Sequence, residues 1–134
     1  MTDVEVSGRA IPRLSQATIA DFAKKTLRIL KRDLGELSIT FVDDATMQKL
    51  NRKYRRKNKT TDVLTFPLDE KYTDIVISIE QAKRQAKTEK HSLATEVRYL
   101  IVHGIIHALG YDHESDQGEM NALEQKVRTA VGLT

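Results

Sequence analysis

Three of the four histidines in this chain fall within eleven residues, at a spacing suited to a metal ion. His103 and His107 are four residues apart on a predicted helix, so their imidazoles project from one helix face. Gly110 permits a left-handed turn that ends the helix and brings His113 round as a third ligand. Three neutral imidazoles with one open position are typical of catalytic zinc. The segment therefore predicts one bound zinc ion, although the spacing alone leaves nickel and iron open.

The same spacing, H-x-x-x-H-x-x-G-x-x-H, occurs in the metzincin proteases, with one difference. Those enzymes place a glutamate general base directly after the first histidine, whereas this chain has Gly104 there. The pattern thus predicts a metal site without the proton acceptor of a peptidase. The alternative is that the three histidines are capping, core or surface residues. His91, the fourth histidine, lies outside the pattern and is predicted to be a solvated or capping residue.

A second feature is a short basic segment between residues 52 and 59 that contains no acidic residue. Without its six charges the net charge of the chain falls from +3 to −3, so the positive charge is concentrated there. Such a patch predicts RNA binding through phosphate contacts that weaken with salt. The alternative is a solvated helix end stabilised by the helix dipole. The six residues are Arg52, Lys53, Arg55, Arg56, Lys57 and Lys59.

Tyr54 lies inside the basic segment and is predicted to pack in the core rather than to stack on a base. Four carboxylates are candidates to assist the metal site. Asp112 adjoins a predicted ligand, which favours turn formation or orientation of an imidazole. Glu96 lies about two helical turns before His103 and is expected to anchor its helix. Two further aspartates, Asp62 and Asp74, are candidates for orienting ligands or for strand-edge positions.

Composition limits the class of protein. The chain has 134 residues, of which 40% are hydrophobic and 5% aromatic, so one domain spanning residues 1–134 with an aliphatic core is expected. The absence of cysteine excludes a disulfide partner and a thiolate metal site. No segment approaches the roughly 20 apolar residues needed to cross a membrane, and no signal peptide is recognised at the start. These features predict a cytoplasmic protein.

Apolar periodicity predicts four strands and five helices, with the helices concentrated late in the chain. The fold class expected is therefore α+β, with a mixed four-stranded sheet. The mixed sheet follows from the short connection between the last two strands, which favours a hairpin. The expected strands lie around residues 4–6 and over 37–42, 62–66 and 74–78. The expected helices begin near Ser15, cover about 44–54, 79–90 and 93–109, and end with one starting near Ser115.

Three details of this prediction can be tested directly. Gly35 is placed to cap the end of the first helix. Pro67 is expected to stop the third strand. The continuous run from Ile75 to Ile77 suggests a strand buried on both faces.

Four segments of the chain resemble the YbeY family of bacterial metal-dependent endoribonucleases, which are involved in ribosomal RNA maturation. The segments are Leu50-Asn51-x-x-Tyr54-Arg55, Thr61 to Pro67, Asp74 to Ser78, and His103-Gly104 through His113. The resemblance runs from about residue 37 to the end of the chain and implies a zincin-like α+β domain. It departs from the usual family residues at Thr65, Thr73, Ile106 and Ala108, none of which is a predicted ligand.

The resemblance also implies roles for particular residues. It makes His103, His107 and His113 zinc ligands, and it makes Arg55 the family's functional arginine. His103 and Arg55 are thus the expected catalytic residues. The implied activity is single-strand-specific cleavage in late processing of ribosomal RNA, at the 3′ end of the small-subunit RNA, with the small ribosomal subunit as partner. Two rival functions remain at this point: a zincin-type metallopeptidase that recruits its base from another position, and an RNA-binding module with a structural metal.

Overall fold

A computed structural model of the protein describes residues 2–111 and 117–133. Within these residues, one mixed sheet is packed with five helices, which confirms the predicted α+β class. The strands are β1 (Asp3–Gly8), β2 (Glu36–Val42), β3 (Val63–Asp69) and β4 (Tyr72–Ser78). The helices are α1 (Gln16–Leu30), α2 (Asp44–Arg55), α3 (Ile79–Glu89), α4 (Leu93–Ala108) and α5 (Glu119–Ala130). In these ranges, no helix combines the length and apolarity needed to cross a membrane.

The strand order in the sheet is β1-β2-β4-β3. Strand β2 pairs in parallel with both β1 and β4, whereas β3 and β4 form the expected antiparallel hairpin. The register places Ile39 of β2 and Thr65 of β3 on either side of Ile75 in β4. Strand β3 therefore forms one edge of the sheet, and all of its residues except Leu64 are at least partly exposed.

The sheet is buried on two faces, although unequally. One face carries Ile39, Ile75 and Ile77, and it packs against α1 and α4 in the main core. On the other face, Met47 of α2 covers Val76 together with neighbouring apolar residues of β3. All three residues from Ile75 to Ile77 are thus buried, as the uninterrupted apolar run predicts.

Helix α2 is fixed at its start by a network around Asp44. Asp44 Oδ1 accepts hydrogen bonds from Ser78 Oγ at 2.7 Å and from Thr60 Oγ1 at 3.1 Å. Its Oδ2 accepts from Arg84 Nη2 of α3 at 2.6 Å. Burial acts to raise the pKa of Asp44, but these hydrogen bonds outweigh it and hold the pKa below its ordinary value. The network ties α2, α3, β4 and Thr60, which directly follows the basic segment, to one carboxylate.

Helix α4 lies unusually close to the sheet at Gly104. A Cβ atom placed on Gly104 would lie 2.9 Å from Cγ2 of Ile75, so the glycine allows the contact. Nearby, Thr65 Oγ1 donates a hydrogen bond to the Gly104 carbonyl at 3.3 Å. The outer face of α4 packs on α5 through Val102, Ile106, Met120 and Val127. The helix is therefore held between the sheet and α5.

Two predictions about where elements end are wrong. Helix α1 ends at Leu30 because Lys31 adopts a left-handed conformation, with φ of 54°, and donates its N–H to the Arg28 and Leu27 carbonyls. Gly35 serves a different contact, since an added Cβ there would lie 2.7 Å from the carbonyl oxygen of Lys71. Strand β3 continues past Pro67 to Asp69. Proline is tolerated there because β3 is an edge strand and its missing N–H deprives no neighbour.

The sequence predicts that the last helix starts near Ser115. Ser115 lies outside the described residues, and within them α5 begins at Glu119, after Gly118. Met120 and Val127 are buried and Leu123 is partly buried, which confirms the predicted inner face.

Replacing Gly104 with Ala should destabilise the protein by about 1–3 kcal/mol, because the added methyl group collides with the branched side chain of Ile75. The sign is diagnostic, since Gly→Ala inside a helix ordinarily stabilises by about 1 kcal/mol. Urea unfolding of the two proteins, followed by circular dichroism, measures the difference. Equal or greater stability of the variant would contradict the close packing of α4 on β4.

Candidate active site

The imidazoles of His103 and His107 converge at one side of α4. Their Nε2 atoms are 3.0 Å apart, and the ring centroids are 4.5 Å apart with an interplanar angle of 70°. Both side chains are partly exposed and line a cleft of about 420 Å³. The predicted i, i+4 pairing of these two histidines on one helix face is therefore present.

This pair fits the geometry of a metal site. Two nitrogen ligands with bonds of about 2.0–2.1 Å at the tetrahedral angle would lie about 3.3 Å apart, close to the 3.0 Å observed. Neutral imidazoles suit zinc and its neighbours in the transition series. The predicted third ligand, His113, lies outside the described residues. Among the residues that are described, no group of three histidine, cysteine or acidic side chains could hold a metal ion.

Glu124 of α5 contacts the other side of the His103 ring. His103 Nδ1 lies 2.7 Å from Glu124 Oε1, and a carboxylate at this distance favours the tautomer that leaves Nε2 as an acceptor. Glu124 Oε2 accepts a second hydrogen bond, from Arg128 Nη2, at 3.1 Å. A carboxylate that orients an imidazole in this way is a recurrent feature of histidine metal sites.

Sequence analysis did not identify Glu124, although one signal was available. Met120 and Val127 define the inner face of α5, and Glu124 lies at helical spacing between them. A carboxylate near the buried face of a helix needs a charged or hydrogen-bonding partner. That requirement predicts a partner for Glu124, but it does not identify His103 as the partner.

Arg55 is the other predicted catalytic residue, and the structure places it on the same cleft. It is the last residue of α2, where Arg56 ends the helix in a left-handed conformation with φ of 56°. The fold thus brings the end of α2 towards the two histidines of α4, across the edge strand β3. The described residues that complete the cleft are Thr61, Asp62, Val63, Leu64, Thr65, Pro67, Gly110 and Tyr111.

Buried Asn51 shapes the basic segment. Its side-chain Nδ2 donates to the Lys59 carbonyl at 2.9 Å, and its backbone carbonyl accepts from the Lys57 N–H at 3.3 Å. Within the described part of the chain, none of the six predicted RNA-binding side chains forms an ion pair. All six residues are exposed: Arg52, Lys53, Arg55, Arg56, Lys57 and Lys59. The segment therefore presents six uncompensated positive charges, one of which, Arg55, lines the cleft.

The prediction that Tyr54 packs in the core is wrong. Its exposed fraction is 55%. The ring meets the edge of Phe66 at a centroid distance of 5.2 Å, and Lys53 Nζ lies 5.2 Å from its centroid. Helical periodicity alone does not distinguish a buried Tyr54 from an exposed one, because α2 covers only part of the sheet.

The carboxylate candidates occupy different places. Asp62 lines the cleft, where its Oδ1 accepts from the Val63 N–H at 2.8 Å. Asp74 instead belongs to the sheet face opposite Ile75, where burial raises the pKa of its carboxyl group against opposing hydrogen bonds from Thr40 and Ser38. Asp74 is thus not part of the cleft. Asp112 lies outside the described residues.

Glu96 anchors α4, as expected, but it does so through His91. Glu96 is buried and its Oε1 lies 2.6 Å from His91 Nε2. The prediction of a solvated or capping His91 is confirmed for capping, since its backbone N–H donates to the Ala86 carbonyl at the end of α3 at 3.0 Å. Its side chain is not solvated, because it is only 23% exposed and pairs with this carboxylate. Glu96 therefore supports the helix from a position next to the cleft rather than inside it.

Comparison with known proteins identifies related chains. The family model described as Endoribonuclease YbeY matches residues 2–132. Proteins named Endoribonuclease YbeY from Carboxydothermus hydrogenoformans and Staphylococcus aureus are 47% and 39% identical to this chain. The first match covers 74% of each chain, and the second covers 87% of this chain and 84% of its relative. The solution structure of TM1509 from Thermotoga maritima shares the fold, with a TM-score of 0.64 at 23% identity, over 97% of this chain and 90% of that one.

Replacing Glu124 with Gln should lower zinc affinity by about 10-fold or more, because the neutral amide holds and polarises His103 less strongly. Competition with a chromophoric chelator measures the affinity. The same substitution at exposed Glu70 in the β3–β4 turn provides a matched control, since that residue lies away from the histidines. Unchanged affinity in the Glu124 variant would show that the carboxylate does not support a metal ligand.

Proposed function

Because this chain belongs to the YbeY endoribonuclease family, which makes it an RNA-cleaving hydrolase, we propose that it cuts single-stranded RNA with the help of one zinc ion. The observation that carries the proposal is the meeting of two imidazole nitrogens and Arg55 on one open cleft. A guanidinium group beside two imidazoles that can hold a metal ion suits a phosphodiester, which presents negative charge and several acceptor oxygens.

The proposed ligands of the ion are His103, His107 and His113. A divalent ion held by three neutral ligands would supply Lewis-acid polarisation of the phosphate and activation of water. The chain's own contribution is orientation. Glu124 holds His103 by its Nδ1, so the Nε2 lone pair points into the cleft. The turn at Gly110, whose N–H donates to the His107 carbonyl at 3.0 Å, ends α4 directly before the segment that contains His113.

Arg55 is proposed to contact the scissile phosphate. A guanidinium group can donate two parallel hydrogen bonds to phosphate oxygens and stabilise the charge that develops during cleavage. The other five basic residues are exposed around it and would hold the RNA backbone without reading its sequence. Arg55 thus differs from its neighbours because it lines the cleft of the two histidines.

The proposed substrate is ribosomal RNA in the cytoplasm, with the small ribosomal subunit as partner and 3′-end maturation of its RNA as the process. Support for this finer assignment comes from the family resemblance, together with the concentrated positive charge. A single-stranded substrate is favoured because the cleft has a volume of only about 420 Å³ and its histidines are only partly exposed. A single strand can present its phosphate there without a second strand to accommodate.

A peptidase function is disfavoured by the packing of α4. A metzincin-type base would occupy position 104, and the space there is too small even for a methyl group beside Ile75. The helix cannot therefore carry a glutamate at this position without moving from the sheet.

Replacing His107 with Ala should remove bound zinc and reduce RNA cleavage by roughly 100-fold or more, because the ion loses one of its proposed ligands. Zinc content is measured by mass spectrometry and cleavage with a labelled single-stranded RNA, with circular dichroism to verify folding. Chelation of the unmodified protein should give the same loss, and added zinc should reverse it. Full activity of metal-free variant protein would refute zinc dependence.

Replacing Arg55 with Ala should slow single-turnover cleavage at saturating RNA by roughly 100-fold, and it should weaken RNA binding much less. Arg52→Ala tests the neighbouring basic segment and should affect binding more than the saturated rate. Arg32→Ala, an exposed arginine outside the segment, provides a control. Equal losses of binding and of rate in the Arg55 variant would make Arg55 a binding residue only.

A further inference from the structure

The exposed ring of Tyr54 is unusual in this protein. Of the four tyrosines and three phenylalanines, all of which the structure describes, only Tyr54 is exposed. Its exposed fraction is 55%, whereas the other six residues are buried or partly buried. A single exposed apolar residue is ordinary on a protein surface and by itself indicates nothing. Tyr54 differs because it lies inside the segment of six exposed cations, residues 52–59.

Tyr54 is also close to the cleft of the two histidines. It directly precedes Arg55, which lines the cleft, so the two Cα atoms are only about 3.8 Å apart. Its ring contacts Phe66 of the edge strand β3, and the residues on either side of Phe66, Thr65 and Pro67, both line the cleft. Because side chains alternate along a strand, Phe66 and the Tyr54 ring lie across β3 from the cleft. An RNA strand bound at Arg55 therefore has Tyr54 beside it.

The contacts of the Tyr54 ring hold it in place without covering it. Phe66, which packs against the apolar cluster under α2, meets the ring at a centroid distance of 5.2 Å and an interplanar angle of 63°. The Lys53 ammonium lies 5.2 Å from the ring centroid, but Lys53 is itself exposed and its long side chain can turn away. An exposed cation–π contact is weaker than the stacking of a base on an aromatic ring. A base can therefore displace the ammonium, which is then placed to contact a phosphate.

The charges around the ring favour a nucleic acid over a protein as its partner. Four cations flank Tyr54 within two residues, and all are exposed: Arg52, Lys53, Arg55 and Arg56. Tyrosine is common in protein–protein interfaces, but the centres of such interfaces are depleted in charged residues. A polyanion compensates the four charges and also supplies a flat ring for the tyrosine.

We propose that Tyr54 stacks on a base of the bound single-stranded RNA, beside the phosphate that Arg55 contacts. The proposal rests on the endoribonuclease function proposed above. Proteins that hold single strands combine cations that follow the backbone with aromatic rings on which the bases stack. The bases of a duplex are already paired and stacked on one another, so the ring engages only an unpaired base. Tyr54 thus contributes to the selection of single-stranded RNA, whereas the cations alone bind either form.

The test measures binding of a short single-stranded RNA by stopped-flow fluorescence anisotropy, which records association before the RNA is cut. Tyr54→Ala and Tyr54→Leu should each weaken binding roughly tenfold because both remove the aromatic face, and Tyr54→Phe should retain it. The leucine variant keeps an apolar contact with Phe66, so a loss that it shares with the alanine variant does not come from altered packing on β3. Circular dichroism verifies folding.

Two outcomes of this comparison would overturn the proposal. Equal affinity of the unmodified protein and all three variants would leave the ring without a role in RNA binding and would favour a protein partner. A loss in Tyr54→Phe as large as that in Tyr54→Ala would assign the effect to the hydroxyl group instead of the ring.

Salt dependence separates stacking from phosphate contacts. The slope of log affinity against log salt concentration reports the number of phosphate contacts, so Tyr54→Ala should leave it unchanged. Arg52→Ala, in the same segment, is the matched control and should reduce the slope by about one. A reduced slope in the Tyr54 variant would mean that its neighbouring cations had moved, and it would contradict stacking.

RNAs that each lack one base but keep every phosphate test the base directly. In the unmodified protein, loss of one particular base should weaken binding roughly tenfold, and Tyr54→Ala should be insensitive to that loss. Equal sensitivity of the two proteins at every position would overturn the proposal, even where cleavage is observed. Failure of the unmodified protein to cleave RNA with zinc present, while this base dependence persists, would instead count against the endoribonuclease function.

Discussion

The close contact between Gly104 and Ile75 is the constraint on which the site depends. It seats α4 against β4 with no space for a Cβ atom, and it fixes the depth and rotation of the helix. Since His103 directly precedes the glycine and His107 follows one turn later, both imidazoles must then emerge beside the edge strand β3. Thr65 of that strand reinforces the contact through the Gly104 carbonyl. A glycine usually destabilises the interior of a helix. Here that cost accompanies a close contact that defines the position of two functional side chains.

Burial of the Glu124 carboxylate likewise costs free energy and defines the position of a side chain. The side chain is only 12% exposed, so its charge is largely removed from water. Contacts with His103 on one oxygen and Arg128 on the other offset that cost. A buried carboxylate with two partners contributes little net stability, but it has few alternative orientations. The His103 ring is therefore held through Nδ1, while Nε2 faces the cleft.

Features set by local interactions can be predicted from the sequence, whereas features set by contacts between distant residues cannot. The hairpin, the buried run from Ile75 to Ile77 and the histidine pair of α4 follow from periodicity and short connections. Glu124 contacts a residue 21 positions away, and no local rule selects that partner. Tyr54 was misjudged because helical spacing shows which face is apolar, but not how far the sheet extends beneath it. The metal itself stays a prediction, since His113 lies outside the described residues.

The two openings around His103 differ in charge, and this difference would orient a bound strand. The exposed basic segment, residues 52–59, reaches the cleft through Arg55. The neighbouring cavity, which is lined by Gln85, Glu89 and Glu96 among others, has more carboxylates than cations. A phosphate backbone is favoured on the first side and repelled on the second, where neutral bases suffer no such penalty. His103 and His107 lie at the boundary. A strand that satisfies both sides would therefore bring a phosphate, rather than a base, to the two nitrogen atoms, as the proposed cleavage requires.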